Sequence, residues 1–191
     1  MYNPAGIMLA NLRALFGSVV DIILFRRGPE NLPASQALLA IVVALSIVGL
    51  VAMSAVASLP ASRALLGGLI GSGVMLLWFR AALALANKRE RFLQAMTAMF
   101  GVNTLFLPLM VPLLGALAPY MEKADANTPP PPALLLIFMF VMVWGFVVEM
   151  RIVRAAFECP WLVAALLLIG EFFAANVVAM LFFGEPAKGA T

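Results

Sequence analysis

Glu171 has more chemistry open to it than any other residue of this sequence. It is an acidic side chain midway along a run that carries no other charge from Trp161 to Phe183. Counted at about 1.5 Å per helical residue, it lies roughly 17 Å from either end of that run. A carboxyl at such depth in a bilayer is costly and normally faces a proton, a cation or a hydrogen-bonding side chain. Asn103 stands at a similar depth in another apolar run, and Asn176 follows Glu171 five residues on, off its stripe. These groups have two uses. They can form a midplane site for a proton, an ion or the polar part of a substrate. They can instead hydrogen-bond between helices and lock the packing, at about 0.6–2 kcal/mol per contact. On sequence alone packing is the simpler use.

Five further charges lie shallower. Arg80 stands about two turns from the end of its run, where it can snorkel to the headgroups or pair with Glu149 at comparable depth. Glu149, Arg151, Arg154 and Glu158 then make a charged strip along the edge of the membrane, with Arg154 and Glu158 four residues apart. Such a strip reads as a solvated, lipid-anchoring edge before it reads as a binding surface. Gly67 and Gly71 have the Gly-x-x-x-Gly spacing that lets membrane helices approach closely, and contact within the chain is a simpler use for it than a homodimer seam.

Other chemistry lacks its residues. The chain has no histidine, which removes the commonest general base and metal ligand. Its single cysteine, Cys159, rules out an internal disulfide and any multi-cysteine metal site, and with no activating partner it reads as an ordinary interfacial thiol. No phosphate-binding glycine loop, HExxH, GxSxG or aspartate pair occurs. The sequence therefore predicts no enzyme, no cofactor, no metal site and no nucleic-acid partner.

The elements that must position these residues are membrane helices. Of 191 residues, 64% are hydrophobic and 11% charged, against about a quarter charged in soluble domains. Spans of roughly 20 apolar residues fit about 36–57, 64–86, 92–117, 133–153 and 160–183. The expected fold is all-α, a single polytopic bundle of about five spans. Before it, 4–27 carries Leu9, Leu12, Leu15, Phe16, Val19, Ile22 and Ile23 at spacings of three and four, interrupted by Arg13 and Asp21. That pattern predicts an amphipathic helix lying in the headgroup plane or packed on the bundle. Pro108 and Pro112 could bend the third span, and 119–132, ending in four prolines, predicts a stiff loop outside the bilayer. The N-terminus lacks the order of a cleavable signal peptide and is expected to be retained.

Lysine and arginine placement predicts the orientation. With five spans and the N-terminus inside, Arg13, Arg26, Arg27, Arg80, Lys88, Arg89, Arg91, Arg151 and Arg154 fall on the cytoplasmic side, and only Arg63, Lys123 and Lys188 fall on the other. The C-terminus is then extracytoplasmic.

The layout resembles the Yip (Ypt-interacting protein) family: a cytoplasmic N-terminal segment followed by about five closely spaced helices. The stretch Asp21-Ile22-Ile23-Leu24-Phe25-Arg26-Arg27-Gly28-Pro29-Glu30-Asn31-Leu32-Pro33-Ala34-Ser35, running into the first span, resembles the lead-in of short bacterial members. The Asp-Leu-Tyr-Gly-Pro and Gly-Thr-Pro signatures of eukaryotic members are absent, and no functional residue carries over. The resemblance implies a non-enzymatic component of the bacterial inner membrane. The first expectation is therefore a structural or interaction protein whose partners are the lipid bilayer and another membrane protein or a second copy of itself. The competing expectation is a small transporter or channel subunit working through Glu171 and Asn103.

Overall fold

The computed structural model describes residues 4–56, 60–122 and 129–184. Every regular element among them is helical: α1 (Pro4–Ile23), α2 (Gln36–Val56), α3 (Ala61–Leu85), α4 (Phe92–Glu122), α5 (Pro132–Phe157) and α6 (Trp161–Phe183), with short 3-10 turns at Pro29–Asn31 and Arg89–Arg91. Five helices are long and apolar enough to cross a membrane. Their outward faces carry residues such as Leu136, Phe140, Leu162, Met180 and Leu181, all exposed. In water this much bare apolar surface would drive aggregation; in lipid it is the solvated face. The protein is a multi-span integral membrane protein.

Local chemistry accounts for several helix ends. Ser35 caps α2, its hydroxyl accepting from the Leu38 amide at 3.3 Å. Pro132 and Pro160 sit where a missing N–H costs nothing, at the starts of α5 and α6. α1 stops at Ile23, a turn short of the expected 27, because Phe25 takes a left-handed φ of 60° and folds the chain back. Arg151 holds that turn, donating to the Phe25 carbonyl at 3.0 Å with its guanidinium 5.2 Å from the ring centre. Arg27 closes it from within through Asp21 at 3.2 Å. The expected proline-rich loop falls partly on residues 123–128, outside the described segments. α4 continues through Pro108, Pro112 and Pro119 as one helix. Its 31 residues make about 46 Å, enough to cross an apolar core of about 30 Å and project beyond it.

The five long helices close into a ring in the order α2, α3, α6, α5, α4 and back to α2. α1 lies outside it and packs its Leu15–Val19–Ile22 stripe on α4, with Val19 against Gly101. Phe16, placed on the same stripe by its spacing, is instead exposed beside Arg13. The helices approach most closely at glycines other than the expected pair. A side chain added at Gly67 or Gly71 would meet nothing, whereas Gly68 packs on Ile47 and Leu50 of α2. Gly49 admits Leu107, and Gly170 makes room for the Trp78 indole, whose N–H donates to the Leu167 carbonyl at 3.1 Å. The α3–α6 contact, made by the residue next to Glu171, is therefore keyed by Trp78 and Gly170.

Candidate functional site

Within the ring lies a half-open cavity of about 660 Å³ lined by α2, α4, α5 and α6. Glu149 from α5, Glu171 from α6, Asn103 from α4 and Ser46 from α2 contribute its polar groups. Counted along each helix from the end nearest the 24–35, 86–91 and 158–160 connections, all four lie about 12–17 Å deep. From that level the cavity runs towards the opposite end between apolar side chains, among them Leu50, Met53, Met110, Leu114 and Phe138. It is polar at one end and apolar along the rest. Met142, Phe146, Ile169 and Phe172 line it and are also exposed, Phe172 by 62%, so the cavity reaches the outer apolar flank of α5 and α6.

Asn103, Glu149 and Glu171 line the cavity together, from three different helices. No lysine or arginine lines the cavity. Its titratable groups are Glu149 and Glu171 alone, because α2 and α4 supply a serine and an asparagine. Three metal-ligating side chains do not converge anywhere among the described residues.

The structure thus brings Glu171 and Asn103 to one site and adds Glu149, which the sequence places at the membrane edge. Asn176 stays out. It is exposed, and its amide donates to the Phe172 carbonyl of its own helix at 2.7 Å. Arg80 does not reach Glu149; it is exposed, with its guanidinium 5.6 Å from the Phe92 ring centre. The three-residue spacing of Phe146 and Glu149 was the available sign that both share one face of α5. It carried no weight in sequence because the flanking faces are apolar too.

The expected charged strip loses Glu149 to the cavity, and its other members pair differently. Arg154 lies over Trp161, 4.9 Å from the ring centre. Glu158, at a left-handed φ of 50° just past α5, takes Lys88 and Arg91 from the α3–α4 connection. Lys88 also donates to the Phe157 carbonyl and Arg91 to the Ala155 carbonyl, each at 3.0 Å. Their hydrogen bonds, Lys88 first and Arg91 second, hold the Glu158 carboxyl below its usual value. Nearby, Gln94 donates to the Leu32 carbonyl at 2.8 Å and joins the α1–α2 connection to α4. Burial pushes the Cys159 thiol up, against smaller opposing effects from its backbone, Lys88 and Arg154, which suits an inert thiol. No protein-family model, curated protein or solved structure matches the chain.

Proposed function

We propose that this protein is a small proton-linked membrane carrier in which Glu149 and Glu171 hold a positive charge inside the bundle. The cavity carries this reading: carboxylates from two neighbouring helices share it, and no basic side chain lines it. A carboxyl at membrane depth needs a proton or a cation, and these two have only each other, Asn103 and what enters. A packing role would call for direct bonds between helices. Among the described residues Glu171 makes no side-chain hydrogen bond, and the volume beside it is open. The lysine and arginine bias supports placing the basic end in the cytoplasm of a bacterial inner membrane, which sets the carboxylates nearer that side. The resemblance to the Yip family favours a non-enzymatic membrane component, and a carrier is compatible with it.

The test is proton flux into vesicles that contain the purified protein and an enclosed pH-sensitive dye, driven by a potassium–valinomycin potential. Flux above that of protein-free vesicles is expected, and Glu149→Gln or Glu171→Gln should abolish it. Equal flux in both variants and the parent protein would remove the carboxylates from the function.

A further inference from the structure

The cavity's shape and lining say more than its charge. Its volume, about 660 Å³, lies within the roughly 300–1,000 Å³ of small-molecule sites. Water cannot fill it. Each ordered water needs about two to four polar partners, and beyond the level of Glu149, Glu171, Asn103 and Ser46 the walls are leucine, methionine and phenylalanine. A bare metal ion fits poorly as well. Calcium takes about six to eight oxygens and magnesium a strict octahedron, whereas the polar end offers two carboxylates, one amide and one hydroxyl.

Phenylalanines crowd that same end. Phe146 precedes Glu149 by three residues, Phe106 follows Asn103 by three, and Phe172 is next to Glu171; all three line the cavity. Aromatic faces beside carboxylates suit an organic cation, whose diffuse charge a ring face attracts. The exposed apolar lining on α5 and α6 opens towards lipid, a route for an amphiphile and a barrier to a hydrated ion.

We infer that the cavity binds a monovalent organic cation with a bulky apolar body, an alkylammonium or arylphosphonium, taken up from the lipid phase. Its charge sits between Glu149 and Glu171, and its body lies along Leu50, Met53, Met110 and Leu114. This rests on the reading that the carboxylate pair holds a positive charge, and it names the species that does so.

The test is equilibrium binding of radiolabelled tetraphenylphosphonium to the full chain in nanodiscs, with protein-free nanodiscs subtracted. Saturable binding is expected at one per chain. Glu149→Gln and Glu171→Gln should each weaken it by at least about tenfold, since each removes a partner of a buried charge. Met110→Trp keeps both carboxylates but fills the apolar end, and it too should weaken binding. The variants' folding is checked by thermal melting in the same nanodiscs.

Binding that survives both glutamine substitutions, or that an uncharged analogue of the same shape displaces equally well, would overturn the inference in favour of plain apolar occupancy. No saturable binding, alongside carboxylate-dependent proton flux in vesicles, would also overturn it while leaving the carrier reading standing. Absence of both would end the two together.

Discussion

Two sets of glutamates in this protein have opposite surroundings. Glu158, at the basic end, is half exposed and held by Lys88 and Arg91, both of which also bond backbone carbonyls at the end of α5. Glu149 and Glu171 lie inside the bundle, where charge is most expensive, and no basic side chain lines their cavity. A fold arranged only for stability would do the reverse, because an ion pair gains least where water screens it and a lone charge costs most where water is absent. Among the described residues, the lysines and arginines of the five long helices and their connections stand within about two turns of a helix end. The end joins connections through its ion pairs, whereas the interior leaves two carboxylates in a cavity that no basic side chain lines.

Giving the interior what the end already has should produce the largest effect. Ser46→Lys puts an ammonium into the polar end of the cavity, at the depth of both carboxylates. It should abolish binding of an organic cation, by about a hundredfold or more, without lowering the melting temperature. Retained binding would show that the carboxylates are not where the charge sits.

A second change loosens the element that presents Glu171. At Gly170 an added Cβ would lie 2.8 Å from the Trp78 ring, which cannot yield without losing its bond to Leu167. Gly170→Ala should cost about 1–3 kcal/mol, the range for overpacking a tight contact, read as a lower midpoint in denaturant. Gly71→Ala, where nothing lies within reach, should change that midpoint little.

The clamp at the end gives a smaller, pH-dependent signal. Glu158 has a folded pKa below its ordinary 4.5. Its contribution is therefore complete above the unfolded value and is lost as the pH falls through the folded one. Melting of the parent protein should fall over that acid range and weaken with added salt. Glu158→Gln should lower neutral-pH stability slightly and remove this component. Smallest of all, Arg80→Ala should leave binding, flux and melting nearly unchanged, because Arg80 is exposed and, among the described residues, meets only the face of the half-buried Phe92 ring.

Much of the fold was legible in sequence, and the reason is lipid. Spans follow from apolar runs, and their ends from Gly28-Pro29, Pro60, the Asn87–Arg91 cluster and Pro160, so the five long helices fall close to their expected limits. Rotation of each helix about its axis was not legible. In water an amphipathic stripe points to the core, but in a bilayer both the core and the lipid face are apolar, and the periodic signal fades. That is why the sequence points to Gly67 and Gly71 while Gly68 and Gly170 make close contacts. For the same reason the sequence sets Glu149 beside Arg80, although Glu149 lies on the cavity. α1 is the contrast: its polar interruptions preserve the stripe, and Leu15, Val19 and Ile22 are buried as their spacing predicts. The Glu158 clamp joins positions about seventy residues apart, which no local pattern encodes.

The most direct measurement sets the three glutamates side by side: Glu149→Gln, Glu171→Gln and Glu158→Gln, each scored for tetraphenylphosphonium binding and for melting in nanodiscs. The interior substitutions should lose binding with melting unchanged or raised, since a neutral amide is cheaper at that depth, and Glu158→Gln should keep binding with slightly lower melting. Lower melting for Glu149→Gln and Glu171→Gln with binding intact would contradict the account and make the interior carboxylates part of the packing.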